Sequence, residues 1–254
     1  MILDNFRLDG RVALVTGGNR GLGAGCALAL AEAGADIALL GRTDPAETTQ
    51  AIVELGRRVS YVPCDLGKAG PAELAAAVGT VRDELGRLDI LVNNAGIIRR
   101  APAAEVTAAD WDDVRAVNVD AVFHLSQAAG RLMIDQGSGK IINIASMLSF
   151  QGGIRVPAYT AGKHAVIGIT RALANEWAGL GVNVNAIAPG YMATDNTAAL
   201  RDDPARAGAI LDRIPAGRWG TPGDLGGAVV FLASDASRYV HAAVLPVDGG
   251  WLAR

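Results

Sequence analysis

The sequence is poor in the residues that most metal, disulfide, nucleic-acid and membrane proteins depend on. Among 254 residues there are two cysteines and three histidines. Cys26 falls in an alanine-rich helical stretch and Cys64 at a strand end, which reads as two small apolar side chains and not as a disulfide or metal pair. His124, His164 and His241 are scattered without ligand spacing, so no metal site is expected. A net charge of −3 leaves no basic excess for a nucleic-acid partner. No apolar run approaches the ~20 residues of a membrane span. The opening Met1-Ile2-Leu3-Asp4-Asn5-Phe6-Arg7 lacks the long apolar region of a signal peptide, so a cytoplasmic protein with no membrane partner is expected.

What is present is a chain that is half hydrophobic and rich in glycine, with 32 of them. That length can bury one substantial core, and a parallel α/β fold can hold it as a single domain, 1–254. Short β-branched runs alternate with alanine-rich helical stretches, and no linker or repeat interrupts them. The rhythm predicts parallel βαβ units with right-handed crossovers. Strands are expected at 12–16, 36–40, 59–63, 90–93, 140–145, 183–187 and 243–247. A polar, arginine-rich excursion at about 191–222, with a helix near 204–213, is placed where a doubly wound sheet would carry a substrate lid.

Tyr159 and Lys163 lie four residues apart in Pro157-Ala158-Tyr159-Thr160-Ala161-Gly162-Lys163, and Ser146 closes the preceding apolar run. If the segment from 157 is helical, phenol and ammonium stack on one face. A tyrosine with a pKa of about 10 trades protons poorly near neutrality, and a fixed neighbouring cation would lower that value. Ser146 would hydrogen-bond the reacting oxygen. Taken alone, the spacing would equally suit a packed tyrosine and a solvated lysine.

The first strand runs into Thr16-Gly17-Gly18-Asn19-Arg20-Gly21-Leu22-Gly23 and then a helix. Glycines there allow a tight turn and close approach of a pyrophosphate to free N–H groups at a helix start. The spacing, Gly-x-x-x-Gly-x-Gly, departs from the commoner dinucleotide fingerprint. Its strand-before, helix-after context is the one that nucleotide binding requires.

Further on come Asn93-Asn94-Ala95-Gly96 closing the fourth strand, Asn118 in Val117-Asn118-Val119, and Pro189-Gly190 with Thr194 after the sixth strand. Taken in order with the glycine turn, Ser146 and Tyr-x-x-x-Lys, they resemble the short-chain dehydrogenase/reductase family over essentially the whole chain. The resemblance implies a Rossmann-type doubly wound parallel sheet of about seven strands, order 3-2-1-4-5-6-7. It implies that Asn118, Ser146, Tyr159 and Lys163 form the catalytic set, with Lys163 on the nicotinamide ribose and, with Asn118, on a proton-relay water. Asn93 would support the glycine turn and cofactor channel, Asp65 would face the adenine and Thr194 the carboxamide. The remaining cofactor contacts it implies are Gly17, Asn19, Arg20, Gly21, Leu22, Gly23, Leu66, Ala95, Gly96, Pro189, Gly190 and Met192. Gly162 stands where the family commonly has serine, a change expected to loosen the helix locally by about 1 kcal/mol relative to alanine.

Cofactor choice turns on the end of the second strand, Leu39-Leu40-Gly41-Arg42-Thr43-Asp44. A carboxylate there favours NAD and a guanidinium favours a 2′-phosphate, so Arg42 favours NADP, with NAD the alternative. Several stretches, among them 141–157, 188–194, 214–220 and 247–254, are similar to the sugar-acid dehydrogenases of the family. A hexonate brings a carboxylate that an arginine fork suits. Arg155 or Arg100 is expected to hold it, Arg99 is also near enough to be considered, and Gln151 and Met192 are expected to line the pocket beside Ser146. Two other readings stay open: a 3-oxoacyl-thioester or other carbonyl reductase, and a dinucleotide-binding sensor without catalysis. A homotetramer, through the helices around 104–135 and 159–180, is implied by resemblance alone.

Overall fold

A computed structural model describes every residue, Met1–Arg254. Seven parallel strands form one sheet in the order β3-β2-β1-β4-β5-β6-β7. They are β1 Val12–Thr16, β2 Asp36–Gly41, β3 Val59–Pro63, β4 Ile90–Asn93, β5 Gly139–Ile144, β6 Val182–Pro189 and β7 Val244–Val247. The helices are α1 Gly21–Glu32, α2 Ala46–Glu54, α3 Pro71–Leu85, α4 Ala108–Arg115, α5 Ala121–Gln136, α6 Pro157–Trp177, α7 Ala198–Arg201, α8 Pro204–Leu211 and α9 Gly226–Ala233. No helix is long and apolar enough to cross a membrane.

Successive strand residues point to opposite faces, so a strand covered on both sides must be apolar throughout. In β1, Val12 and Leu14 join the core under α3, α5 and α6, which includes Val78 and Val81 of α3. Ala13 and Val15 join the core on the other face, under α1, α2 and α9. Burying each such aliphatic side chain contributes roughly 1.5–3 kcal/mol, which fixes the sheet between two helical layers.

β1 pairs with β2 on one side and β4 on the other. The chain order reverses there, and in open α/β sheets the crevice outside the strands' carboxyl ends at such a point is where ligands bind. The expected strands all form: β1, β3 and β4 have the expected bounds, and the other four differ by one or two residues at an end. β6 is longer than expected and starts directly after Gly181, whose positive φ of 83° turns the chain out of the preceding helix. β5 stops at Ile144, which leaves Ser146 beyond the end of the strand. The lid helix α8 ends at Leu211, two residues early, because Asp212 to Gly217 close it with short turn bonds.

Candidate active site

The glycine turn is built for close approach. Gly17 and Gly21 have φ of 65° and 56°, which side-chain-bearing residues rarely adopt. A Cβ on Gly23 would run into the Gly17 carbonyl and the Asn94 amide. Helix α1 starts at Gly21, and its preceding residue, Arg20, offers no side-chain cap. The first-turn N–H groups are therefore open to an anion, with the positive end of the helix dipole behind them. Asn94, not Asn93, braces this turn: its Nδ2 donates to the Thr16 carbonyl at 2.9 Å and the Gly17 carbonyl at 3.3 Å. Thr16 Oγ1 accepts from the N–H groups of Asn94 and Ala95.

Asn93 corrects the expectation made for it. Its side chain points down into the core, where Nδ2 donates to Ser126 Oγ at 3.0 Å and Asn143 Oδ1 at 2.8 Å. Asn143 in turn donates to Thr170 Oγ1 at 2.9 Å. Strand residues alternate faces, and Asn93 takes the inward position while Asn94, one past the strand, turns back to the glycines. Nothing in the sequence distinguished two adjacent asparagines.

Asn118 lies in a single π-helical turn, 116–120, between α4 and α5. Such turns are uncommon and concentrate at functional sites. Its amide straddles Ile97, accepting from the Ile97 N–H at 2.9 Å and donating to the Ile97 carbonyl at 3.0 Å. Gly162 faces it: an added Cβ would lie 3.3 Å from Asn118 Cβ. Helix α6 runs unbroken through Gly162, and the glycine lets α6 pack closely on the π turn.

Ser146 leaves β5 and caps the short turn that follows, with Oγ accepting from the Leu148 N–H at 3.1 Å. Ser149 ties this loop to α6, its hydroxyl donating to the Lys163 carbonyl at 2.6 Å and accepting from the Ser146 N–H at 3.2 Å. Sequence reasoning missed Ser149, which carries no motif of its own. Tyr159 and Lys163 share a face of α6 as expected, with Nζ 5.6 Å from the phenol ring centre. Lys163 is buried, and its ammonium donates to the Ile144 carbonyl at 2.6 Å.

The electrostatics differ from expectation. Burial raises the Tyr159 pKa above its usual 10, while the hydrogen bond with Ser146 and the charge of Arg100 pull it back. Lys163, with its ammonium 5.6 Å from the phenol ring centre, donates to the Ile144 carbonyl and is itself pushed down to about 8 by burial. Arg100, the other cation bearing on the phenol, reaches the Asn196 carbonyl with its guanidinium at 3.2 Å.

The other arginines separate by their partners. Arg99 is turned away onto α4, pairing with Asp113 at 2.9 Å and Asp110 at 3.6 Å. Arg155 is exposed and held at φ 64°, and its carbonyl accepts from the Ala101 N–H. Arg42 is exposed just beyond β2. Arg20 is paired with Asp195 across the cleft at 3.0 Å. Thr194 overhangs the turn, its methyl 3.7 Å from where a Gly21 Cβ would be. Asp65 and Leu66 follow β3 at the far end of the cleft, Asp65 accepting from the Gly67 N–H. Asn19 sits within the turn, its carbonyl accepting from Thr48. Met192 is 4% exposed and packed against Gly220, with which it forms a β-bridge. No group of three His, Cys, Asp or Glu side chains converges on a metal-sized site.

An aromatic cluster that no motif announced closes the lid side. Tyr191 stands edge-on to Trp219 and Trp251, at 5.5 and 4.8 Å between ring centres. These rings pack with Met147, Ile210 and Ile214.

A glycine-lined anion cradle at the switch point, with a serine, a tyrosine and a buried lysine grouped beside it, defines a doubly wound oxidoreductase. The family profile described as "Enoyl-(Acyl carrier protein) reductase" matches residues 17–252, and the chain belongs to this short-chain dehydrogenase/reductase family. It is 58% identical, over the full length of both chains, to the 2-dehydro-3-deoxy-D-gluconate 5-dehydrogenase of Escherichia coli (strain K12). It is 42% identical to the gluconate 5-dehydrogenase of Gluconobacter oxydans (strain 621H), covering 97% of this chain and 96% of that one. A solved gluconate 5-dehydrogenase from Burkholderia cenocepacia J2315, in complex with NADP and tartrate, is 42% identical, covers both chains fully and superposes with a TM-score of 0.95.

Proposed function

We propose that the chain is an NADP-dependent dehydrogenase of sugar acids of the 2-dehydro-3-deoxy-D-gluconate, 2-deoxy-D-gluconate or gluconate type. The observation that carries this reading is the grouping of Ser146, Tyr159 and the buried Lys163 beside the glycine turn, with Arg100 on the loop after β4, bonded to the Asn196 carbonyl, as a cation at the mouth of the cleft. An acidic substrate whose alcohol or ketone sits on Tyr159 has its carboxylate within reach of that guanidinium. The names of the relatives point the same way. Arg155, exposed on the loop before Tyr159, is the second candidate for the carboxylate.

The residues fit a dinucleotide. Gly17, Asn19, Arg20, Gly21, Leu22 and Gly23 would hold the pyrophosphate, with Asp65 and Leu66 toward the adenine and Ala95, Gly96, Pro189, Gly190 and Thr194 toward the nicotinamide. Arg42 would meet a 2′-phosphate, which favours NADP over NAD. The bound nicotinamide supplies or accepts the hydride. Tyr159 gives the proton to the substrate oxygen in reduction and takes it in oxidation, Ser146 donates a hydrogen bond to that oxygen, and Lys163 holds the ribose. Asn118 keeps the 95–97 segment in place behind them. The phenol is protonated at neutral pH and so holds the proton that ketone reduction needs, while burial, which raises its pKa, works against release of that proton.

We further propose that residues 1–254 act as one cytoplasmic nucleotide-binding domain with a lid at about 191–222. The functional unit in this proposal is a homotetramer assembled through α4, α5 and α6. An acyl-thioester reductase is the second reading, favoured by the description of the family profile. A sensor without catalysis is disfavoured by the complete Ser146, Tyr159 and Lys163 set.

The test is cofactor turnover with D-gluconate, 2-deoxy-D-gluconate, 2-dehydro-3-deoxy-D-gluconate and a 3-oxoacyl thioester, each with NADP(H) and NAD(H). Sugar-acid turnover with a lower KM for NADP(H), and loss of that preference in Arg42→Ala, is expected. Turnover of the thioester alone overturns the substrate assignment, and an NAD preference indifferent to Arg42→Ala overturns the cofactor assignment.

A further inference from the structure

Trp251 and Gln151 stand 100 positions apart in the chain, and the indole Nε1–H donates to Gln151 Oε1 at 3.0 Å. An indole N–H can only donate, whereas a side-chain amide accepts at one end and donates at the other. The bond therefore fixes which way the amide points: Oε1 faces the indole, and the two N–H donors of Nε2 face away from it. Gln151 is half-buried on the loop between Ser146 and Tyr159.

Trp251 is itself held from several sides. The Asp248 carboxylate accepts from the N–H groups of Gly250 and Leu252, each at 2.9 Å, which sets the terminal turn. That turn is tied to the lid where the Ala216 N–H donates to the Gly249 carbonyl at 3.0 Å. Tyr191 meets the indole edge-on, and the Arg213 guanidinium lies 4.0 Å over it. Beneath, Trp251 packs with Met147, the residue after Ser146.

We infer that Trp251 is a positioning residue: it holds Gln151 as a two-donor contact for an oxygen of the acidic substrate, and so contributes to selection of oxygen-rich acids. Free to rotate, the amide could present its carbonyl instead, which a carboxylate or hydroxyl lone pair would not favour. The inference rests on the sugar-acid reading. The lid enters through the Arg213 and Tyr191 contacts, so that seating the lid and orienting the amide are one event.

The test uses the sugar acid that the wild type turns over best in the panel above. Trp251→Phe keeps an aromatic ring for Arg213 and Tyr191 to pack on and removes the N–H together with the five-membered ring, so its unfolding in urea is measured beside its kinetics. It is expected to raise KM for the acid about fivefold, the scale of one lost orienting hydrogen bond, with kcat and the cofactor KM within about twofold. Gln151→Glu still accepts from the indole but brings a negative charge and no donors, and is expected to raise KM at least about tenfold. The double variant is expected to match Gln151→Glu alone, since both changes act through one contact. An unchanged KM in Trp251→Phe, an equal rise in the cofactor KM, or effects that multiply in the double variant would overturn the inference while leaving the sugar-acid reading intact. A wild type inactive on every sugar acid in the panel overturns both.

Discussion

Under the site, Asn93, Ser126, Asn143 and Thr170 are each at most 3% exposed and are joined by hydrogen bonds of 2.8 to 3.0 Å linking β4, β5, α5 and α6. Across the cleft, the lid is tied to the glycine turn by Arg20 and Asp195, both 72% exposed, and to the loop after β4 by a single Arg100 contact. The floor is buried and cross-linked by hydrogen bonds among four elements, whereas the lid's near end is held by interactions that water screens. Chemistry that needs atoms fixed within a fraction of an ångström sits on the first. Admission of substrate and cofactor is left to the second, which can open at small cost.

The largest effect expected is on turnover. Tyr159→Phe removes the only proton-transferring group at the reacting oxygen and should lower kcat by roughly 10³-fold or more, with cofactor affinity measured by fluorescence titration within about twofold. Retained turnover would move the acid/base role off the floor altogether.

Next in size is the buried network. Asn143→Ala leaves the Asn93 amide and the Thr170 hydroxyl without their partner and should destabilise the protein by roughly 3 kcal/mol in urea unfolding. A change under about 1 kcal/mol would mean that the floor is less cooperative than its hydrogen bonds suggest.

Lys163 sharpens the same point through pH. Its folded-state pKa of about 8 lies below the ordinary lysine value, so above pH 8 the unfolded chain binds more protons than the folded one. The contribution to stability is full above about pH 10.5 and is lost as the pH falls to about 8. Wild type should therefore gain stability relative to Lys163→Met between about pH 8 and 10, by an amount read from urea midpoints at each pH. A constant difference between the two would show that the ammonium is better solvated than its burial implies.

The smallest effect belongs to the lid. Asp195→Ala frees Arg20 from an exposed pair and should change stability by no more than about 0.5 kcal/mol, while lowering the cofactor KM modestly as Arg20 becomes available to an anion. A loss of more than about 2 kcal/mol would erase the contrast between floor and lid.

Most of the fold was legible. Strands β1 to β7 follow from short β-branched runs separated by helical stretches, and only the ends of β2, β5, β6 and β7 moved, because a run of apolar residues does not mark where the ladder stops. Tyr159, Lys163, Ser146 and the glycine turn were found because a fixed spacing within one helix or one turn guarantees proximity. Asn94, Ser149 and Trp251 were not, since each acts on a partner brought near only by folding: Gly17 across two strands, Lys163 across a loop, Gln151 across the lid.

The sequence by itself determined the layered parallel sheet, the anion cradle at the start of α1 and the tyrosine and lysine on one face of α6, because each is set by local periodicity, glycine placement or helix geometry. Only the tertiary structure decided which of two neighbouring asparagines holds the glycine turn, and how deeply Lys163 and Met192 are buried. Those outcomes depend on burial and on through-space contacts between distant segments: Lys163 is buried with its ammonium on the Ile144 carbonyl, and Asn94 turns back onto the Thr16 and Gly17 carbonyls.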